Sequence, residues 1–162
     1  MHLVNILQRF QRQKGILMII AIGADHRGFS IKELLKEHFS EHQFIDVGAY
    51  NDVRSDYPLF AHQVAQLLQK NIVTKGILLC ATGIGMAIVA NRYKGIYAGV
   101  IWNEKLSKES REDDNTNVLV LPCDGVDFFD PIKITKIWLE TEFNGERYAY
   151  RLALIDDYKE EI

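Results

Sequence analysis

A cysteine closing an apolar run, followed at once by a glycine-rich turn and a helical pattern, carries more potential chemistry than any other feature of this chain. In "GILLCATGIGMAIVANRYKG", residues 76–95, Cys80 ends the run, and Gly83 and Gly85 punctuate the turn. Glycines there permit positive φ and close approach. The first unpaired N–H groups of a following helix point back at the loop, so the backbone of Gly83, Ile84 and Gly85 makes an anion cradle. The same field favours a thiolate, which predicts a Cys80 ionised near neutral pH. A proton acceptor and an oxyanion receptor then sit together, which suits a cysteine phosphatase, a phosphocysteine carrier or an isomerase that moves protons on the thiolate. A phosphatase loop needs an arginine six residues after its nucleophile, and Met86 stands there. A carrier domain holds its cysteine after the first strand, whereas Cys80 follows the third strand-like run. Isomerisation survives best.

Two further groups of residues could serve the same site. "IGADHRGF" sets Asp25 and His26 after an earlier apolar run, where a sugar hydroxyl could meet them. "ERYAYR" spaces Arg147 and Arg151 by four, stacking two guanidinium groups on one helix face in a geometry that grips a terminal phosphate. Such a pair alone is commonly a solvated face, so its weight comes from its company.

These residues need elements to position them. From residue 18 the chain alternates apolar runs with helical spacing. Strands are predicted over 18–23, 43–50, 75–81, 96–102 and 116–122. Helices are predicted over 30–42, 57–71, 85–94, 103–114, 130–143 and 145–162, the fourth polar and short of apolar anchors. Continuous rather than alternating apolar strands mean burial on both faces. The expected fold is α/β, a three-layer, Rossmann-like doubly wound sheet of about five parallel strands with helices on both faces. Ligand sites in such sheets lie beyond the carboxyl ends of the strands, which selects the loop after Cys80 and the loop holding Asp25 and His26.

Composition narrows the partner. With 162 residues, 48% of them hydrophobic and 25% charged, the chain reads as one folded domain over 18–162, preceded by an N-terminal extension of no assigned role over 1–17. A formal charge of −3 without any basic run of five argues against nucleic acid and against a membrane surface. Gln8, Arg9, Gln11, Arg12 and Lys14 interrupt any signal-peptide core or membrane span near the start. Two cysteines outside any C-x-x-C or Cys/His spacing imply neither a disulfide framework nor a metal site, and fit a reducing, cytoplasmic compartment. A small metabolite is the expected partner.

Read in order, "IAIGADHRGF", "DVGAY", "SDYP", "GILLCATGIGM", "VANR", "TNVLVL" and "NGERYAYR" resemble the ribose-5-phosphate isomerase B and galactose-6-phosphate isomerase family, from about residue 18 to residue 155. That resemblance implies interconversion of an aldose phosphate and its ketose through a cis-enediolate, without metal or other cofactor. It also implies a homodimer or dimer of dimers with active sites at the subunit interface. Ribose 5-phosphate and ribulose 5-phosphate are the default pair. A hexose 6-phosphate or a tetrose phosphate is the alternative, and a non-catalytic sugar-phosphate-binding module is the rival that retained Cys80 and Thr82 argue against.

Carried across by position, Cys80 is the base that moves a proton between C1 and C2, and Thr82 assists at the oxygens. The amides of Gly83, Ile84 and Gly85 hold the enediolate charge. Asp25 and Tyr57 orient hydroxyls, while His26, Arg147 and Arg151 address the phosphate or the sugar end near it. Two positions depart from the pattern. Asp113 and Asp114 stand where the family offers a ring-opening histidine and an asparagine, which leaves Asp113 as the candidate for that step. After the fifth strand Pro122 and Asp124 replace a G-x-R, and Asp124 is expected to repel a phosphate.

Overall fold

The computed structural model describes residues 17–127 and 129–157. Residues 1–16, which make up nearly all of the expected extension, lie outside the described residues. The chain alternates strand and helix: β1 Ile19–Ala24, α1 Phe29–His38, β2 Gln43–Asp46, α2 Tyr57–Gln69, β3 Lys75–Cys80, α3 Ile84–Ala90, β4 Ala98–Val100, α4 Glu104–Glu112, β5 Val118–Pro122, α5 Pro131–Glu140 and α6 Arg147–Asp156. The five strands form one sheet in the order β2-β1-β3-β5-β4, and every neighbouring pair is parallel. This is the doubly wound α/β sheet that the unbroken apolar runs predict.

The three central strands are buried on both faces because successive residues face opposite layers and both layers are apolar. Ala21, Leu78, Val118 and Val120 join Ala61, Val64 and Met86 of α2 and α3 on one face. Ile20, Ile22, Ile77, Leu79, Leu119 and Leu121 join Leu35, Ile134 and Trp138 of α1 and α5 on the other. Helix α4 has few apolar anchors, as its composition predicts, with Leu106 against the core, and docks largely by polar means. Ser107 donates from Oγ to the Ile134 carbonyl at 2.7 Å, and the buried Arg111 guanidinium donates to the Thr116 carbonyl at 2.6 Å. Helix α3 ends earlier than predicted. Asn91 leaves the helix to clasp Ala98 of β4, its Oδ1 accepting the Ala98 N–H and its Nδ2 donating to the Ala98 carbonyl.

One buried cation organises the carboxyl edge. Lys32 lies in helical phase with Leu35 and Phe39 and is 0% exposed, so its ammonium must be fully partnered. It donates to both Asp46 oxygens, at 2.7 and 2.8 Å, and to the Ala49 carbonyl at 2.7 Å. Burial alone would raise the Asp46 carboxyl. Hydrogen bonds from Lys32, Lys36 and the Gly48 N–H outweigh it and hold the group below the usual carboxylate range. The bridge ties α1 to the end of β2 and so fixes where the following segment, 47–56, begins. Replacing Lys32 with methionine leaves Asp46 short of its main partner in a half-buried place. Urea unfolding is expected to show a loss of about 3–5 kcal/mol, the usual cost of removing one member of a buried ion pair. A loss under about 1 kcal/mol would place the bridge among inconsequential surface pairs.

Candidate active site

Three loops meet at the carboxyl edge. Cys80, 5% exposed, is the last residue of β3. Gly83 takes φ 76°, a left-handed conformation that turns the chain into α3 and aims its N–H at the thiol, with N to Sγ 3.2 Å. The Ile84 N–H donates to Thr82 Oγ1 at 3.3 Å, which holds that hydroxyl over the same turn. Strand β5 secures the loop from beneath. The Cys123 N–H reaches the Cys80 and Ala81 carbonyls at 2.9 and 3.0 Å, and the Asp124 N–H reaches Ala81 at 2.9 Å.

The loop after β1 lies alongside. The Asp25 N–H donates to the Leu79 carbonyl at 3.1 Å, next to Cys80 in the chain. The buried Asp25 carboxylate accepts the N–H groups of Arg27 and Gly28 through Oδ1, at 2.8 and 3.2 Å. His26 and Ser55 hold each other in a reciprocal pair. The His26 N–H donates to Ser55 Oγ at 3.1 Å, and the Ser55 N–H donates to His26 Nδ1 at 3.3 Å. An accepting Nδ1 puts the proton of the neutral ring on Nε2, which is left as a donor for a ligand. Tyr57, at the start of α2, lays its ring against the glycine turn. A Cβ built on Gly85 would lie 2.5 Å from Tyr57 Cζ and 2.8 Å from its hydroxyl. Asp25, His26, Tyr57, Cys80, Thr82 and the amides of Gly83, Ile84 and Gly85 therefore share one edge of one chain.

The electrostatics correct one expectation. Burial pushes the Cys80 thiol up and the Asp25 carboxylate adds to it, while the N–H groups of Gly83, Met86 and Thr82 pull down without prevailing. Removing a thiolate from water costs more than a seven-residue helix and three amides return. The free chain thus holds Cys80 as a thiol at neutral pH, not as the ready thiolate that its place before a helix suggests.

A second expectation also changes. Asp124 is not a bare repelling charge, because Arg27 Nε donates to its Oδ2 at 2.7 Å and Arg27 Nη2 pairs with the same oxygen. The arginine missing after β5 is matched by one from the β1 loop, which neutralises the substituted carboxylate.

The remaining predicted residues lie elsewhere. Asp113 caps the carboxyl end of α4, and Asp114 follows it, just before β5 begins. Helix α6 sits at that end too. The Asn144 N–H just before it donates to the Glu112 carbonyl at 3.1 Å, and Tyr97 just before β4 hydrogen-bonds Asp156 at its far end. The charges of Arg147 and Arg151 act on Asp113 and Asp114 respectively, and both guanidinium groups lie over the Tyr148 ring, at 4.8 and 5.6 Å. Burial and Asp113 raise the Asp114 carboxyl, with Arg151 opposing. This group occupies the amino ends of the strands. The six-residue β3 separates it from Cys80 by about 17 Å at ~3.3 Å per residue. One chain does not bring the two groups together.

Sequence reasoning missed Arg27, Lys32 and Ser55. Lys32 was detectable, since it falls in the apolar phase of α1. Arg27 and Ser55 find partners 97 and 29 residues away, for which no local signal exists.

With this geometry in view, likeness to known proteins is informative. Residues 20–155 match the model of the Ribose/Galactose Isomerase family. The chain is 36% identical over 138 residues to ribose-5-phosphate isomerase B of Escherichia coli, covering 84% of this chain and 93% of that protein. A solved ribose 5-phosphate isomerase from Thermotoga maritima superposes with a TM-score of 0.81 at 36% identity, covering 87% of this chain and 99% of that one. The ribose-5-phosphate isomerase B of Mycoplasma genitalium, solved with bound ribulose-5-phosphate, superposes at 0.79 with 36% identity, covering 89% and 97%. The chain belongs to the ribose/galactose isomerase family, enzymes of the aldose–ketose isomerase class.

The contact of Gly85 with Tyr57 can be tested directly. Gly85→Ala must displace the ring and is expected to cost about 1–3 kcal/mol in urea unfolding, as overpacking does. In a Tyr57→Ala background most of that cost should vanish. Equal costs in the two backgrounds would show that the ring is not the obstacle.

Proposed function

We propose that this protein is a cytoplasmic sugar-phosphate isomerase that interconverts ribose 5-phosphate and ribulose 5-phosphate by proton transfer at Cys80. The observation that carries the reading is the Cys80 thiol itself. It is held by the Gly83 N–H, beside the Asp25 carboxylate and under the loop that Tyr57 covers. The thiolate form removes the proton from C2 of the open aldose and returns it at C1. The charge that passes to the enediolate oxygen is met by the amides of Gly83, Ile84 and Gly85, fixed dipoles that need no reorganisation when the charge appears. Thr82 hydrogen-bonds the same oxygens, Asp25 and Tyr57 orient hydroxyls, and His26 donates from Nε2 toward the sugar end near the phosphate.

The site is completed by a second copy of the chain. Asp113, Arg147 and Arg151 of one copy meet Cys80 of the other, Asp113 taking the hydroxyl proton in ring opening and the arginines gripping the phosphate. What supports this is the separation of the two groups across the sheet, together with the surfaces that would have to meet. Helix α6 has no buried residue, yet Tyr150, Leu154 and Ile155 are exposed on it. On α3, Ile84 and Ile88 are exposed one turn apart beside the cradle.

Three measurements test the proposal. Cys80→Ala should lower turnover of ribose 5-phosphate by about 10²- to 10⁴-fold, the range for loss of a general base; a variant retaining a tenth of the rate would remove Cys80 from the role. Because burial holds the thiol above its ordinary value, kcat/KM should keep climbing past about pH 8.5 as the thiolate forms. A plateau already reached at pH 7 would contradict a resting thiol. Mixing inactive Cys80→Ala and Arg151→Ala chains should restore about a quarter of the parent rate. In a two-fold dimer, half the molecules are mixed and each then holds one intact site. No recovery after verified subunit exchange would place each site within one chain.

A further inference from the structure

The amino edge of the sheet holds a cavity that the isomerase reading does not use. Its volume is about 690 Å³, within the range of metabolite sites. Its floor is cationic. The ammonium of Lys75, the first residue of β3, lies 4.7 Å from the centre of the Trp138 ring, and the Arg111 guanidinium carbon lies 5.9 Å from the same centre. Arg111 is buried and spends its mapped hydrogen bonds on the neutral oxygens of Thr141, Asn115 and Thr116. Among the described residues the Lys75 ammonium has no hydrogen-bond or ion-pair partner, although its backbone belongs to the sheet. Glu41, Glu140 and Glu142 also line the cavity but are solvent-exposed, as is Lys136, so the rim is mixed in charge while the interior holds cations.

A second, independent feature lies on the same wall. The His42 side chain is 6% exposed, and its Nδ1 is buried without a hydrogen-bond partner. An orphaned buried ring nitrogen is costly unless something else satisfies it. Met18, Phe39, Leu139 and Phe143 supply the apolar part of the lining.

We infer that this cavity binds a small amphiphilic oxyanion, whose phosphate or carboxylate head lies between Lys75 and Arg111 and whose apolar body rests against Phe39, Leu139 and Phe143. Two cations converging on one ring without a carboxylate between them repel each other, and an anion reverses the sign of that interaction. In keeping with this, burial and the Arg111 charge hold the Lys75 ammonium down to about 7. Binding of an anion would restore the protonated form. The site lies a full strand length from Cys80 and does not depend on the assignment of the sugar.

The two tryptophans, Trp102 and Trp138, allow a local readout. In a Trp102→Phe protein all indole emission comes from Trp138. Phenyl phosphate, phenylacetate and benzyl alcohol serve as probes for a phosphate head, a carboxylate head and no charge. At least one of the two anions should change Trp138 emission saturably, and which one does identifies the head. Lys75→Met should weaken that anion by roughly tenfold or more, as loss of a charge-assisted contact does. Cys80→Ala should leave the titration unchanged. In amide spectra of the unsubstituted protein, Lys75, Thr141 and Phe143 should shift in the same titration, so the outcome does not depend on how well the variant folds. No saturable response to either anion below about 10 mM, a response to benzyl alcohol equal to theirs, or shifts confined to Gly83–Gly85 would overturn the inference.

Discussion

All five strands run the same way, and most of what this protein can do follows from that constraint. Parallel order sends every strand's carboxyl end to one edge and every amino end to the other. Loops leaving the strands therefore gather Cys80, Asp25 and Tyr57 on one side, however far apart they stand in sequence. The segment that returns to start β5 carries Asp113 and Asp114 to the opposite side, and the last helix, with Arg147 and Arg151, docks there. A single chain of this topology does not place Arg147 and Arg151 over the thiol on the leaving side. The geometry divides the predicted site residues into two groups, which is why the proposed function calls on a second copy of the chain.

Within the leaving edge, precision comes from polar contacts, some buried and some exposed, more than from the apolar core. The core sets the sheet but stops at Ala24 and Cys80. Beyond those residues the loops are located by Lys32 on Asp46 and Ala49, by His26 on Ser55, and by Arg27 on Asp124. These are strongly directional contacts, and in the case of Lys32 a failure is expensive because the ammonium has no route to water. The segment from 47 to 56 is anchored by Lys32 at one end and by His26 at the other. Tyr57 follows immediately and inherits its position over Gly85. A lysine in the apolar stripe of a helix thus acts, through two intermediates, on the placement of a phenol at the site.

Element order and layer assignment were legible in the sequence, because unbroken apolar runs and helical spacing are local signals and a parallel sheet leaves them few arrangements. The glycine turn that carries Cys80 into a helix was legible from its local residues too. What escaped were pairings and energies. Asp124 in isolation reads as a negative charge facing a phosphate, and only the fold shows Arg27 on it. Helix α4 reads as a weak polar helix, but Ser107 and Arg111 satisfy carbonyls in its neighbours. The thiol was misjudged because sequence reveals the helix start, which lowers a thiol's pKa, and conceals the depth of burial, which raises it.

That last point bears on how such a site can work at all. A thiol raised by burial is a poor resting base, yet the same burial makes its thiolate a strong one once formed, since a proton acceptor's strength rises with its pKa. One amide is common to both parts of the proposed mechanism: the Gly83 N–H hydrogen-bonds the sulfur in the free chain, and with those of Ile84 and Gly85 it would face the enediolate oxygen during reaction. Under that mechanism charge passing from Sγ to the enediolate oxygen would stay beside the Gly83 amide, a fixed dipole that needs little reorganisation at the moment of transfer. The Asp25 carboxylate limits the arrangement. It sits close enough to raise the thiol, and its buried position is sustained only by the N–H groups of Arg27 and Gly28 on Oδ1. A sugar hydroxyl donating to that carboxylate would spread its charge, weaken its hold on the Cys80 proton and favour ionisation once substrate is bound. Under the proposed mechanism the thiol would be kept quiet in the empty site and made basic by the ligand it acts on.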